Sequence, residues 1–279
     1  MKRIGILYHP INKAAYPLAR ELQEFLSARG VTAWLCSAWE EAEAGCQLDD
    51  TDLIITVGGD GTILRAAQVA VSRSVPITGV NLGRLGFMTE LNVDEARDRI
   101  IDLLAGKGWL DERTMLEVEL QTPVGESRAV FYALNDVVVA RGEIARMIRV
   151  EAAVNGEPLT TYKADGVIVA TATGSTGYSL SAGGPVLHPQ STDFLMLPIL
   201  PHLSLAYALV LPPEAVIELV ISVIHKATLS VDGHMNLSLA DKAVLKVRRS
   251  AHQTRFLRIH PPTSFYGSLE RRLKGKRLW

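Results

Sequence analysis

Between the uncharged run Leu53-Ile54-Ile55-Thr56-Val57 and a helical pattern from Ile63 to Ser72 stands Gly58-Gly59-Asp60-Gly61-Thr62. Three glycines in four positions remove the side chains that would hold a ligand off the backbone, so successive N–H groups can turn toward an anion. A helix beginning near Thr62 adds its positive end. Asp60 does not suit a plain phosphate cradle, because a carboxylate repels phosphate. It suits a hydroxyl that must be oriented or deprotonated, or a metal-bound water. A glycine-rich turn capped by an aspartate would carry the same letters. The chain has no G-x-x-x-x-G-K-[ST] and no G-x-G-x-x-G, which excludes a Walker loop and the usual dinucleotide fingerprint.

Four further segments carry polar chemistry. Gly174-Ser175-Thr176-Gly177-Tyr178-Ser179-Leu180-Ser181-Ala182-Gly183-Gly184-Pro185 is too small and too hydroxylated to fill a core; it can surround a polar ligand with short donors and acceptors or serve as a long connection between strands. Asn135-Asp136 interrupts the strand-like Phe131 to Ala140, where polar groups need partners from the protein or from a ligand diol. Lys163 and Asp165, two apart, are expected on one face of a strand as ligand contacts or as a surface ion pair. Gly79-Val80-Asn81-Leu82-Gly83-Arg84-Leu85-Gly86-Phe87 is another glycine-punctuated turn, with Phe87 available to stack on a base or to cap the core.

The elements that must position these residues follow from periodicity. Ile4 to Tyr8 reads as a buried strand, Leu18, Leu22 and Phe25 mark an amphipathic helix that Gly30 stops, and Val31 to Cys36 reads as a second strand. After the acidic stretch Glu40 to Asp52 come the run ending at Val57, the helical pattern, and a strand at Pro76 to Val80. This βαβ repetition implies a parallel sheet with right-handed crossovers. From Trp109 the period becomes two, with Leu116, Val118 and Leu120 opposite Glu117, Glu119 and Gln121. Asn155-Gly156 and Asp232-Gly233 are hairpin turns of type I′. The expected fold is α/β plus β: an α/β domain over 1–108, a β-rich, sandwich-like domain over 109–250, and a tail over 251–279.

Composition narrows the function classes. Twenty-nine basic and thirty acidic residues give a net charge of −1, so no global field attracts nucleic acid or anionic lipid. Phe194 to Leu211 has no formal charge, but Pro198, Pro201 and His202 argue against a membrane helix. With no signal-peptide core and with Cys36 and Cys46 read as small apolar residues, a cytoplasmic setting is expected. The basic tail from Glu270 to Trp279 reads as a solvated end or a strap.

Taken together, GGDGT at Gly58 to Thr62, NLGRLGFMTE at Asn81 to Glu90, Asn135-Asp136, and ADGVIVATATGSTGYSLSAGGP at Ala164 to Pro185 resemble the NAD kinase family over almost the whole chain. GGDG alone is shared with phosphofructokinases and with diacylglycerol and sphingosine kinases; the later segments separate them. The resemblance implies a C-terminal segment that returns to the first domain and transfer of the terminal phosphate of ATP, or of another donor, to the adenosine-side 2′-hydroxyl of NAD. It gives Asp60 the catalytic role and Gly58, Gly59, Gly61, Thr62 and Arg65 the donor phosphates. It assigns NAD binding to Asp60, Gly61, Arg65, Phe87, Asn135, Asp136, Arg146, Lys163, Asp165, Thr173, Thr176, Gly177, Tyr178, Ser179, Leu180, Ser181 and His234. It also implies a divalent ion, Mg²⁺ carried with ATP, no nucleic-acid or membrane partner, and a homodimer or homotetramer. Two positions depart from the family pattern: its Asn-Glu is Asn135-Asp136 here, and its alanine before the pocket tyrosine is Gly177. The rivals are a lipid or sugar kinase sharing the GGDG turn and a catalytically silent NAD(P)-binding module.

Overall fold

A computed structural model describes residues 1–83, 86–121, 128–142, 147–202, 207–223, 226–261, 265–267 and 269. The chain divides into two compact units, Met1–Glu112 with the segment from Thr254 onward, and Arg113–Gln253. The divisions fall a few residues beyond those expected, inside the long strands Trp109–Gln121 and Val244–Arg258. No linker composition marks them.

In the first unit, β1 (Arg3–Tyr8), β2 (Thr32–Ser37), β3 (Leu53–Gly58) and β4 (Ile77–Asn81) form a parallel sheet in the order β2-β1-β3-β4. The connecting helices are α1 (Ala15–Ser27), α2 (Glu41–Cys46), α3 (Asp60–Ala70) and α4 (Val93–Leu104). Helix α1 buries Ala15, Leu18, Ala19, Leu22 and Leu26 along one stripe. Each leucine removed from water there contributes about 1.5–3 kcal/mol. Gly30, at φ 77°, takes the left-handed conformation that ends the segment. Strand β3 is buried along its whole length, as an uncharged run between two helical layers requires. Winding proceeds from β1 outward to β2 and then crosses to β3, so its direction reverses between β1 and β3. In open α/β sheets ligands bind at the carboxyl ends of strands at such a reversal. Here those ends are His9 and Gly58-Gly59, with the His9 amide donating to Val57 O at 3.0 Å. The C-terminal segment does return to this unit: Phe256 pairs in parallel with Ile77, and Thr78 Oγ1 donates to Leu257 O at 2.8 Å.

The second unit is an antiparallel sandwich. One sheet runs in the order Leu209–Leu211, Phe194–Ile199, Gly166–Thr171, Asp136–Arg141, Ala227–Val231, Met235–Leu239. The other contains Glu157–Ala164, Ile148–Val154, Val216–Ser222 and the first part of Val244–Arg258. Val118, Val139, Val150, Val169, Phe194, Leu219, Leu229 and Leu245 meet in their common core. Asn155 and Gly156, at φ 53° and 82°, make the expected two-residue turn. Asp232-Gly233 also turns left-handed, but Val231 pairs with Met235, so His234 joins the loop as a third residue.

Three local expectations are corrected. Helix α3 begins at Asp60 rather than near Thr62, because extended Gly59 caps it and Thr62 N closes the first turn on Gly59 O at 3.0 Å. The acidic stretch contains the short helix Glu41–Cys46. The run Phe131 to Ala140 is two strands, Arg128–Ala133 and Asp136–Arg141, separated at Leu134-Asn135. Of the apolar run Phe194 to Leu211, Phe194–Ile199 and Leu209–Leu211 are strands. No helix among the described residues is long and apolar enough to cross a membrane. The tail from Glu270 to Trp279 lies outside the described residues.

Candidate active site

Asp60 opens α3, and its carboxylate accepts from three consecutive amides: Phe87 N to Oδ2 at 2.8 Å, and Met88 N and Thr89 N to Oδ1 at 3.1 and 3.3 Å. A carboxylate offers about four acceptor positions. Among the described residues three are filled, which leaves one on Oδ2. The approach of this segment requires a glycine, since a Cβ on Gly86 would lie 2.1 Å from Asp60 Oδ1. Gly86 was legible only as one glycine within a glycine-punctuated turn; its contact with Asp60 was not.

The glycines of the turn have different reasons to be glycine. A Cβ on Gly58 would meet Thr62 Oγ1 at 2.2 Å and His9 Cβ at 3.2 Å, so Gly58 serves the packing of α3 on the sheet. A Cβ on Gly59 or Gly61 would meet no atom within 4 Å, and neither residue has a left-handed φ. Among the described residues nothing demands glycine at 59 or 61, and the space their side chains would fill lies against the positive end of α3. Thr62 is fully buried, its hydroxyl without a hydrogen bond, and contributes to this surface only through its backbone.

Arg65, one turn further along α3, is held by Glu41 at 3.1 Å and lies 4.3 Å over the Trp39 ring. Trp39 in turn packs edge-on against His9, with ring centroids 4.6 Å apart. His9 and Trp39 therefore adjoin the glycine turn, a placement that followed from strand order and not from any motif. Phe87 is half-buried and reaches Asp60 through its amide. Cys36 and Cys46 are both unbridged thiols; Cys36 is buried, and burial, reinforced by Glu43 and Glu40, pushes its thiol up to about 11, so it stays protonated, whereas Cys46 is exposed, against the expectation of a small apolar residue.

In the second unit the central group is Asp232, which shows in the sequence only as part of a turn. Its carboxylate accepts from Leu134 N at 2.9 Å, Asn135 N at 2.7 Å and Asp136 N at 3.2 Å. This is what breaks the Phe131–Ala140 run and fixes the Asn135-Asp136 pair. Burial, and then the Asp232 charge, push the Asp136 carboxyl up to about 7. Asn135 Oδ1 is buried without a hydrogen-bond partner. A cavity of about 470 Å³ is lined by Asn135, Asp136, Tyr178, Asp232, Gly233 and Asn236. A Cβ on Gly177 would come within 3.7 Å of Asp136 Oδ2, so the glycine leaves the approach to that carboxyl open.

The remaining candidates are distributed as follows. Thr173, Thr176 and Ser179 are buried, with Thr176 Oγ1 donating to Thr173 O at 3.3 Å and Arg113 Nη1 to Thr173 Oγ1 at 3.4 Å. Leu180 is half-buried, Ser181 is exposed, and half-buried His234 contacts Asp232 O through Nδ1 at 3.2 Å. Asp165 pairs with Arg141 at 3.0 Å rather than with Lys163. It sits where the chain leaves Glu157–Ala164 for the other sheet at Gly166, which breaks the alternation that would have aligned the two. Lys163 lines a different cavity, of about 440 Å³, with Arg149 and Lys242. Arg146 lies outside the described residues.

Two family models match the chain: the ATP-NAD kinase N-terminal domain over residues 4–107 and the ATP-NAD kinase C-terminal domain over residues 134–259. An NAD kinase of Dehalococcoides mccartyi is 47% identical over 274 residues, covering 98% of this chain and 96% of its own. One from Chloroflexus aggregans is 39% identical, with 98% and 99% covered. Among solved structures, yeast NADH kinase complexed with NADH aligns with a TM-score of 0.86 at 26% identity, over 100% of this chain and 89% of that one. An NAD kinase from Archaeoglobus fulgidus in complex with ATP aligns with a TM-score of 0.77 at 27% identity, over 96% and 98%.

Proposed function

The chain belongs to the NAD kinase family, and we propose that Asp60 is the carboxylate that meets the hydroxyl of NAD in the reaction of that family. The enzyme transfers the terminal phosphate of ATP to the 2′-hydroxyl of the adenosine ribose, giving NADP. In our reading the hydroxyl donates to the open position on Asp60 Oδ2, which aims an oxygen lone pair at the terminal phosphorus. As the new O–P bond forms, the proton passes to Oδ2. The bond to the bridging oxygen breaks, and ADP leaves with that electron pair. Orientation and late proton acceptance of this kind contribute about 10²- to 10⁴-fold. Alignment and charge neutralisation contribute most of the rest.

The donor phosphates lie in this reading against Gly59 and Gly61, where amides and the start of α3 face them, and Arg65 exchanges Glu41 for a phosphate oxygen. Mg²⁺ carried with ATP would supply charge neutralisation at the phosphates; of its roughly six oxygen ligands, Asp60 would supply none while its open position holds the hydroxyl. On the NAD side, Asn135, Asp136 and the Thr173–Ser181 segment hold the dinucleotide in this reading, joined by Asp165 and His234, whereas Lys163 lines the other cavity and is not one of these contacts. The unpartnered Asn135 Oδ1 supports this by offering a buried acceptor to a ligand donor. A homo-oligomer in the cytoplasm completes the reading; size-exclusion chromatography with light scattering tests the first part.

The pairing of Asp60 with two glycines whose side-chain space is unclaimed carries the proposal. A coupled assay for NADP, run with ATP, other triphosphates and polyphosphate, tests it on the wild type and on Asp60→Asn. The substituted enzyme is expected to lose about 10²- to 10⁴-fold in turnover while binding NAD within a few-fold of wild type. Undiminished turnover, or phosphate appearing only on an added lipid alcohol, would sink it.

A further inference from the structure

The three amides that hold Asp60 belong to a segment with its own anchor. Arg258 Nη1 donates to Met88 O at 2.6 Å and pairs with Glu90 Oε2 at 3.2 Å, while its Nε donates to Asp111 Oδ2 at 3.2 Å. Glu90 Oε1 accepts from Ile259 N at 2.9 Å and His260 N at 2.8 Å, and lies 2.9 Å from His260 Nδ1. The Arg258, Glu90 and Asp111 side chains are only 7%, 8% and 3% exposed. A guanidinium set between two carboxylates, these three side chains out of water, is an expensive arrangement that well-packed apolar residues often equal in stability. Its geometry explains it better. Met88 C=O and Thr89 N–H are the two ends of one rigid peptide plane. Arg258 grips the oxygen end, and the N–H end donates to Asp60 Oδ1.

We propose that Arg258 and Glu90 are positioning residues for phosphoryl transfer, setting the Met88–Thr89 peptide that aims the Asp60 carboxylate. The inference rests on the reading of Asp60 as the reacting carboxylate. The guanidinium supplies a planar fork that reaches a carbonyl and two carboxylates at once, and a lysine ammonium cannot reproduce it. Because Glu90 is tied to Ile259 and His260, the strand end that carries Arg258 and the segment that carries the three amides form one unit. A displacement of either turns the carboxylate.

Arg258→Lys and Glu90→Gln test this in the full-length enzyme. Displacements on the order of 1 Å cost about 10²-fold, so Arg258→Lys is expected to lower kcat about 10- to 100-fold, and Glu90→Gln less. KM for NAD and ATP should stay within about threefold, and circular dichroism should remain that of the wild type. In an Asp60→Asn background Arg258→Lys should cost almost nothing further, because no carboxylate is left to aim. A folded Arg258→Lys enzyme with normal kcat, a loss confined to KM, or losses that multiply in the double variant would overturn the inference. If Arg258→Lys does not fold, Glu90→Gln with the same double variant decides. Should Asp60→Asn alone keep wild-type turnover, the reading of Asp60 fails and this inference with it. A dead Asp60→Asn beside normal Arg258→Lys and Glu90→Gln enzymes would sink this inference only.

Discussion

Asp60 and Asp232 are held by the same device. Each carboxylate accepts from three consecutive amides, those of residues 87–89 and those of residues 134–136. Their surroundings differ. Asp60 starts a helix beside two glycines whose side-chain space is unclaimed among the described residues. Asp232 is 5% exposed in a left-handed turn, and its own amide donates to Asp136 O at 2.9 Å. A cradle of amides thus has no function of its own. At Asp60 it holds a half-exposed carboxylate at a helix start, and at Asp232 it uses a buried one, which also lines the cavity, to tie a turn to a strand.

Exchanging each carboxylate for its amide separates the two roles. At Asp60 the loss falls on turnover, by the 10²- to 10⁴-fold given above, with a melting temperature close to wild type because the site is half-exposed. At Asp232 the asparagine NH₂ confronts buried N–H donors and strands at least one, at about 1–3 kcal/mol each. Asp232→Asn should therefore melt several degrees lower. In the cold its deficit should appear as weaker NAD binding, since Asn135 and Asp136 lose their anchor. Thermal melts beside steady-state kinetics check both, and two variants that fail alike would dissolve the distinction.

The pH dependence of stability sharpens it further. Asp136 titrates near 7 in the folded chain and near the ordinary carboxylate value of about 3.8 when unfolded. Between those values the native state binds more protons than the unfolded one. Stability should therefore fall as pH rises across that window, by at most about 1.4 kcal/mol per pH unit, and level off above it. Asp136→Asn should flatten the slope and gain on the wild type at pH 8. Because the Asp232 charge is the second cause of the shift, after burial, Asp232→Asn should move the fall to lower pH. Denaturant melts from pH 4 to pH 8 measure all three, and parallel curves would show that Asp136 does not titrate in this window.

What was legible in the sequence was local. The buried run Leu53 to Val57, the glycines after it and the helical period from Ile63 spelled strand, turn and helix, with the helix start set two residues late and its end set at Ser72, two residues beyond Ala70, where it falls. The apolar letters of Phe131 to Ala140 spelled one strand, because the residue that breaks it, Asp232, lies 97 positions from Asn135. The same distance problem hid the contact between Arg258 and Glu90, 168 positions apart. Periodicity reports which side of an element is buried. It does not report which distant carboxylate collects a turn's amides, and that decided the shape of both candidate sites.

The smallest effects come from the glycines, and here stability and affinity should move in opposite directions. Gly58→Ala forces a methyl to 2.2 Å from Thr62 Oγ1 in a filled space, and overpacking of this kind costs about 1–3 kcal/mol. Gly61 lies in the first turn of α3 with nothing within 4 Å of its missing side chain. Alanine there should stabilise the ligand-free enzyme by up to about 1 kcal/mol, because glycine is the poorer helix former. The same methyl would stand where the donor phosphates are proposed to approach, so KM for ATP should rise as the melting temperature rises. If Gly61→Ala stabilises the enzyme and leaves ATP affinity unchanged, the glycine was tolerated rather than required, and the phosphates must be sought beyond this turn.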